Sequence, residues 1–421
     1  MSKTVSFITR NFDKYNPASL ASYEYIGGFT ALRKALDMDG DAIAAVLAEN
    51  GVQGRGGAAY DMGRKWSQAR AVKAPHKCVV CNADEGEPGT FKDRELLTKD
   101  PFQLLEGMII AGWSVGADNG YIYMREEYSH LRPQLLSAIE QCEKAGYLGD
   151  NILGVEGFNY RIHLYSGAGA YVCGEGSALC ESLEGHSGRP RMKPPFIKQC
   201  GAFHLPTCVN NVESLSLVPP LLLDKDGFYK KQGTPECPGT KMISVCGNVK
   251  NPGVFEVPFG ITLREIIYDL AGGIEDGHQL QLVQLGGASG RLASPAQLDT
   301  PYTYKDMKDA DLTAIGSGAV LVVDERTSVI GFLRMTQQFF SHESCGQCTP
   351  CREGNRHIAM ILDKIAEGSH TEEDVAIMSK YARIMSTASM CGLGETAQSA
   401  LLSAMKRFPE VFAIKKEVAV R

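Results

Sequence analysis

The sequence lacks what would mark a polymer-binding, membrane-spanning or disulfide-built chain. Its 43 Lys+Arg stand against 49 Asp+Glu, a formal net charge of −6. Without a basic surplus to hold a phosphate polymer by counterion release, nucleic acid is not an expected partner. Long apolar runs are missing too: Met108 to Val115 and Leu215 to Leu223 are short and interrupted by Gly, Ser or Pro, well under the roughly 18–20 residues of a membrane span. The opening stretch MSKTVSFITRNFDKY has no apolar h-region, so secretion is not expected, and the odd number of cysteines, 13, is not read as a disulfide framework. Internal repeats and low-complexity tracts are absent. What remains is 421 residues, 44% hydrophobic and 22% charged, enough for about two to four domains with their own cores. The expected location is the cytoplasm, either free or membrane-associated through a complex, with reduced thiols available to metal.

Residues 18–50 carry apolar side chains at helical spacing and predict two short amphipathic helices. A Gly-rich segment follows, Gly54-Arg55-Gly56-Gly57-Ala58-Ala59-Tyr60, and then an apolar strand from Lys77 to Cys81 that opens into Asn82, Asp84 and Glu85. Such a strand end is where α/β sheets place ligands. Helix-like Pro101 to Gly116, strand-like Gly120 to Arg125 and helical Leu131 to Ala145 give an α/β alternation, the pattern of a doubly wound sheet. Beyond the Pro/Gly stretch 233–239, Lys241 to Gly247 and Val254 to Val257 read as strands around an Asn-Pro-Gly turn. Thr262 to Glu265 fits a capping box, and Ala319 to Val323 closes a small β-grasp-like module. From about Ser328 onward four helical segments suggest a bundle. The expected division is 1–240, 241–327 and 328–421.

The strongest chemical signal is Cys345-Gly-Gln-Cys348-Thr-Pro-Cys351, followed after 39 intervening residues by Cys391. Three thiolates at two-residue gaps can wrap three corners of a cubane and a remote fourth can complete it, as a [4Fe–4S] cluster requires. Four thiolates also satisfy tetrahedral zinc, but structural zinc sites favour two separated CxxC pairs over one CxxCxxC. Cys78-Val-Val-Cys81 lies in an apolar strand and reads as structural; most other cysteines read as small buried hydrophobes. Gly392-Leu-Gly394-Glu-Thr-Ala397 matches a dinucleotide fingerprint formally, but no strand leads into it, and it reads as a helix N-terminus.

The Gly54 loop alone fits either a tight turn or a loop whose amides approach a phosphate or a flat ring. Three further segments accompany it: Asn82-Ala-Asp84-Glu85-Gly-Glu87, Gly167 to Glu175 with Tyr171 and Gly174, and Arg191-Met-Lys193-Pro-Pro-Phe196. With Asn210-Asn211-Val-Glu213 and the cysteine cluster, they closely resemble the family of flavin-binding, NADH-oxidising subunits of respiratory complex I. That subunit type also occurs in soluble NAD(P)-linked hydrogenases, formate dehydrogenases and electron-bifurcating complexes. The resemblance covers nearly the whole chain in the same order. It implies a Rossmann-like domain holding FMN, a ubiquitin-like β-grasp domain and a C-terminal four-helix bundle carrying one [4Fe–4S] cluster on Cys345, Cys348, Cys351 and Cys391. Gly54, Arg55, Gly56 and Lys65 would line the flavin and its phosphate, and Asn82, Asp84 and Glu85 the isoalloxazine or ribityl groups. Tyr171, Gly174, Glu175, Asn210 and Asn211 would complete that site. Glu87, Lys193 and Phe196 match positions that meet the nicotinamide dinucleotide, with Glu87 supporting hydride transfer and no protein nucleophile or general acid required.

The implied function is hydride exchange between NAD(P)H and FMN, then single-electron transfer to the cluster and onward to partner subunits. These partners would be a thioredoxin-like [2Fe–2S] subunit and a further Fe–S or catalytic subunit. Five positions depart from the family pattern, all near the dinucleotide. Tyr60 stands for an adenine-stacking Phe, Asp61 and Met62 replace a Pro-Thr pair, Gln68 stands where a second aromatic is expected, and Gly176 replaces the second carboxylate of a Glu-Glu pair. Loss of an acidic group near the adenosine ribose admits NADP where a basic partner is close, and Arg64 is a candidate for that partner; neutral drift with NAD retained is the alternative. The departures tilt the reading toward a soluble assembly over complex I. A non-catalytic Fe–S scaffold is the reading from another class.

Overall fold

The computed structural model describes residues 3–313 and 315–414. They form two compact units. One comprises the chain up to Gly86, Thr90–Ser244 and Val254–Ile261; the other comprises Glu87–Gly89, Val245–Gly253 and the chain from Thr262 onward.

In the first unit a four-stranded parallel sheet has the order β3-β2-β1-β4, with β1 Cys78–Ala83, β2 Asn119–Met124, β3 Arg161–Ser166 and β4 Thr207–Asn211. The chain moves outward from β1 through β2 to β3, then returns to lay β4 on the other side of β1. Strand order therefore reverses between β1 and β4, and a doubly wound sheet opens a ligand crevice at the carboxyl ends of such a strand pair. β1 is buried along nearly its whole length, as expected of a central strand covered on both faces. The helix Pro101–Val115 is apolar almost all round and buries every residue but Trp113. Asp100 caps its start, accepting from Gln103 N, and Pro101 takes the first helical position, where no N–H is needed. At Gly107 a Cβ would lie 2.1 Å from the Leu215 carbonyl oxygen, so only glycine lets the helix Val212–Ser216 come this close.

The N-terminal region differs from expectation in having three helices over residues 18–50: Leu20–Tyr25, Thr30–Leu36 and Gly40–Glu49. The first helix ends in a Schellman turn at Gly27, φ +93°, with Gly28 N donating to Tyr23 O and Gly27 N to Glu24 O at 2.9 Å each. That left-handed glycine splits what reads as one periodic segment into two helices.

The remaining sheet has the order β6-β5-β9-β7-β8, with β5 Thr240–Gly247, β6 Gly253–Pro258, β7 Leu280–Leu285, β8 Leu292–Ala293 and β9 Ala319–Asp324. In the second unit β7 is antiparallel to both β8 and β9. The capping box is present, with Thr262 N donating to Glu265 Oε2 at 2.9 Å and Glu265 N to Thr262 Oγ1 at 3.2 Å. The helix it opens is wide over Glu265–Leu270, where Ala271 N reaches back five residues to Ile266 O. Four longer helices follow: Val329–Glu343, Thr349–Glu367, Glu372–Ala388 and Ser399–Arg407. Thr349–Glu367 buries a stripe of Cys351, Ile358, Ile361, Leu362 and Ile365. Thr371 and Asp374 cap Glu372–Ala388 reciprocally. Among the described residues no helix is long and apolar enough to cross a membrane.

Candidate functional site

Four of the segments singled out in the sequence meet at the carboxyl ends of β1 and β4. The strand register places Cys81 beside Asn210 and Asn82 beside Asn211. The Gly54 loop is closed by Gly54 N donating to Tyr60 O at 2.8 Å, and the helix Met62–Ala71 that follows is capped by Asp61, which accepts from Arg64 N at 2.7 Å. A Cβ at Gly56 would lie 3.2 Å from Asn211 Cβ, so the bare backbone of this loop lies against the end of β4. From the other side, Asn82 Nδ2 donates to Gly174 O at 2.9 Å, which ties the turn Tyr171–Gly174 to β1. A Cβ at Gly86 would meet the Tyr171 ring at 3.2 Å. Lys65 Nζ donates to Val209 O at 3.0 Å, and burial lowers its pKa. Trp66 Nε1 donates to Asn210 Oδ1 at 3.3 Å.

Two predicted ligand residues are placed differently. Arg55 is 1% exposed, and its guanidinium turns inward to donate to Tyr229 OH at 2.7 Å and lies 4.9 Å from the Phe259 ring centre. Its backbone N is held by Ser214 Oγ at 2.9 Å. Arg55 thus braces the loop from behind with both its side chain and its backbone N, and the neighbouring Gly56 and Gly57 are the bare backbone left to face a ligand. Glu85 caps the helix Lys92–Lys99, accepting from Asp93 N at 2.9 Å, Arg94 N at 3.1 Å and Tyr128 OH at 3.0 Å. Burial and the neighbouring Asp93 charge push its carboxyl up to about 7, against the pull of Lys92 and the two amides.

Beneath Asn211 is a group of charges that the sequence reading missed. Lys92, Asp93, Glu213 and Lys241 are all buried, with Lys92 Nζ 2.6 Å from Asp93 and 2.9 Å from Glu213, and Lys241 Nζ 2.5 Å from Glu213. Asn211 is threaded into the same network: its Oδ1 accepts from Lys92 Nζ at 3.1 Å and its Nδ2 donates to Asp93 Oδ2 at 2.6 Å. Burial alone would raise the Glu213 carboxyl, but Lys241, Lys92 and Arg55 outweigh it and hold the group down to about 2. The available signal was a Lys-Asp pair and a lone Glu set among apolar or small residues, Thr90-Phe91-Lys92-Asp93 and Val212-Glu213-Ser214-Leu215.

Glu175, expected to complete the flavin site, and the residues expected to meet a dinucleotide fall into smaller groups. Glu175 caps the helix Gly176–Leu183, accepting from Ser177 N and Ala178 N at 2.9 Å each, and pairs with Lys193 Nζ at 2.9 Å. Burial opposes its ionisation, yet these donors keep the carboxyl below its usual range. Tyr60 and Phe196 are 41% and 50% exposed. Gln68 connects their surroundings: its Oε1 accepts from Tyr60 OH at 3.2 Å and from Lys198 Nζ at 2.8 Å, and that ammonium lies 5.8 Å from the Phe196 ring centre. Arg64 is exposed. Glu87 belongs to the second unit, where its carboxylate accepts from Ser289 N at 2.7 Å.

The four cysteines of the cluster motif also lie in the second unit. Cys348 and Cys391 occupy the N-cap positions of the helices Thr349–Glu367 and Gly392–Thr396, and Cys351 sits in the first turn of the former. A Cβ on Gly394 would lie 2.9 Å from Cys351 Cβ, so the short helix after Cys391 packs directly on Cys351. Burial, joined by the neighbouring Cys348, Cys391 and Cys345, pushes the Cys351 thiol up to about 11 against the pull of the Ser344 hydroxyl. Among the described residues no three His, Cys, Asp or Glu side chains close on a single metal ion.

The residues present fit the groups that the resemblance implies. A cradle of bare backbone, backed by the buried Asn210 amide, lies at the switch point of a parallel sheet, and three of the four soft sulfur donors sit at two helix starts, with Cys345 in the loop just before the first. Together these define the class: a flavoprotein and iron–sulfur component of an oxidoreductase. Family models match in the same order, the Nuo51 FMN-binding domain at residues 47–220, the SLBB domain at 242–293 and the NADH-ubiquinone oxidoreductase-F iron-sulfur binding region at 331–415. The chain is 38% identical over 406 residues to an NADH-quinone oxidoreductase subunit of Rhizobium meliloti, covering 96% of each. It is 39% identical to the NADP-reducing hydrogenase subunit HndC of Solidesulfovibrio fructosivorans, covering 96% of this chain and 82% of that one. A crystal structure of an NAD+-reducing [NiFe]-hydrogenase in the H2-reduced state superposes with a TM-score of 0.81 at 38% identity, over 89% of this chain and 62% of that one. The chain belongs to the family of FMN-binding, [4Fe–4S]-binding subunits that contains this NADH-quinone oxidoreductase component and HndC.

Proposed function

We propose that this chain exchanges electrons with a nicotinamide dinucleotide through FMN held at the β1/β4 switch point, and passes them on through a [4Fe–4S] cluster held by Cys345, Cys348, Cys351 and Cys391. The observation that carries the reading is the meeting of the Gly54–Gly57 loop, Asn82 to Gly86, the turn Tyr171–Gly174 and Asn210–Asn211 at one crevice. Bound FMN supplies conversion between two-electron hydride chemistry and one-electron transfer, and a cluster supplies a one-electron relay.

The chain's own task is to bind, orient and exclude water. Backbone amides of the Gly54 loop approach the phosphate or ring, with the Lys65 ammonium for the phosphate. The side chains of Asn82, Asp84, Asn210 and Asn211 offer hydrogen bonds along the crevice floor. Lys193, held by Glu175, and the exposed Tyr60 and Phe196 rings offer charge and stacking surface to a dinucleotide. In this reading residues 1–240 bind flavin and dinucleotide, 241–327 form the β-grasp region and 328–421 carry the cluster. The partners are a thioredoxin-like [2Fe–2S] subunit and a further Fe–S or catalytic subunit, in a soluble assembly.

Purified chain, assayed for flavin absorbance and for ferricyanide reduction with NADH and with NADPH, tests this directly. Stoichiometric flavin with turnover is expected. A cluster without flavin or turnover would instead identify an electron-transfer scaffold.

A further inference from the structure

Cys351 is the buried one of the four cluster-motif cysteines, and it has a polar neighbour that the cluster motif does not account for. Asn355, one helical turn further on, is 0% exposed. Its Nδ2 lies 3.4 Å from Cys351 Sγ and also donates to Cys351 O at 2.9 Å. Its Oδ1 is occupied by Gln337 Nε2 at 2.7 Å, and the same Nε2 reaches Asn355 O at 3.2 Å. Gln337 is buried too, on the preceding helix Val329–Glu343. With a donor fixed on the carbonyl side, the amide NH2 of Asn355 is the end that faces the sulfur. Ser344 Oγ approaches Sγ at 3.3 Å from another side, but a hydroxyl can rotate and serve either as donor or as acceptor there.

Two amides in the otherwise apolar stripe of Ile358, Ile361 and Leu362 are costly to desolvate, and aliphatic side chains of similar size would pack there without that cost. A role toward the sulfur accounts for their presence. A ligating sulfur carries more negative charge after a cluster gains an electron. A neutral N–H dipole aimed at it therefore stabilises the reduced form more than the oxidised one, and burial strengthens the effect.

We infer that Asn355, oriented by Gln337, donates an N–H···S hydrogen bond to Cys351 that raises the reduction potential of the [4Fe–4S] cluster bound there. Asn355 touches the ligand directly, while Gln337 is a positioning residue acting through Asn355. The inference rests on the reading of Cys351 as a cluster ligand.

The test is an EPR-monitored redox titration of the cluster in the full-length chain, with iron content measured alongside. Asn355→Leu is expected to move the midpoint to a more negative value with iron content unchanged. Gln337→Leu is expected to move it the same way by less, and the double variant no further than Asn355→Leu alone, because the two act in series. An unchanged midpoint in Asn355→Leu at full iron content would overturn the inference. Should Asn355→Leu fail to assemble a cluster, Gln337→Leu decides, and an unchanged midpoint there overturns it equally. Cys351→Ser checks the underlying reading: a full iron complement with the wild-type EPR signal would remove Cys351 as a ligand, an outcome distinct from an unchanged midpoint in the amide variants.

Discussion

Around the ends of β1 and β4 the supporting side chains are charged: Lys92, Asp93, Glu213 and Lys241 lock together under Asn211, and Arg55 braces the Gly54 loop. Around the buried Cys351 the side chains within reach of the sulfur are neutral, Ser344 and Asn355 with Gln337 behind it, and the exposed Arg352 at the cysteine loop donates to the backbone of Gly346 rather than to a thiol. The difference follows from what each region has to hold. A mononucleotide is large, and its site must be kept in shape by remote parts of the chain, so the helix Lys92–Lys99, the end of β4 with the helix Val212–Ser216, and β5 are cross-linked by buried ions. A cluster already fixes its ligands covalently, so what is left for the surroundings is to adjust the charge on sulfur, which neutral dipoles do without adding a net charge of their own.

The sharpest way to break this comparison is to remove one member from each region. Cys351→Ala is expected to lose the cluster, seen as loss of iron and of the EPR signal, while FMN binding persists. Lys92→Met is expected to do the reverse. It leaves Asp93 and Glu213 short of a cation, which destabilises the first unit by about 3–5 kcal/mol, read by denaturant unfolding, and weakens FMN binding through Asn211. A smaller effect is expected at Gly56→Ala. Its Cβ would lie 3.2 Å from Asn211 Cβ, so the loop shifts a few tenths of an ångström, and FMN affinity falls roughly tenfold, about 1.4 kcal/mol.

The ionic network also gives a pH signature. Glu213 is held down to about 2 in the folded chain, below the roughly 4.3 of an unperturbed glutamate. Its stabilisation is therefore fully present above the unfolded value and is lost as pH falls from about 5 toward 2. Acid unfolding monitored in wild type and in a Glu213→Gln, Lys241→Met pair is expected to show a shallower acid limb in the pair. The smallest effect concerns dinucleotide choice. Gly176→Glu restores a carboxylate at the start of the helix Gly176–Leu183, where a Cβ meets only the end of the Ile197 side chain at 3.1 Å. It is expected to lower NADPH relative to NADH turnover several-fold, measured as the ratio of kcat/KM values.

Much of the fold was legible because its signals are local. The apolar strand ending in Asn82, the Pro101 start, the Thr262–Glu265 box and the CxxCxxC run each announce themselves within a few residues. The crevice could be anticipated from strand-end chemistry, and Asn82, Gly174 and Asn211 do meet there. What escaped notice depends on contacts far apart in sequence. Arg55 and Glu85 read as ligand residues, because nothing near them in sequence shows that Tyr229 and the start of the helix Lys92–Lys99 claim their charges. Lys241 and Glu213 are 28 positions apart and meet only once β4 and β5 are in place. Asn355 and Gln337 look like ordinary polar positions on two helices until the helices pack.

The central claim is that flavin and cluster occupy separate sites, built from the strand ends and from the cysteines respectively. Fluorescence titration of FMN into flavin-depleted full-length protein tests it most directly, using wild type, an Asn82→Ala, Asn211→Ala pair and Cys351→Ala. Quenching at one equivalent is expected for wild type and for Cys351→Ala, with affinity falling at least tenfold in the asparagine pair. Unchanged FMN affinity in the asparagine pair, or an equal loss in Cys351→Ala, would contradict the account.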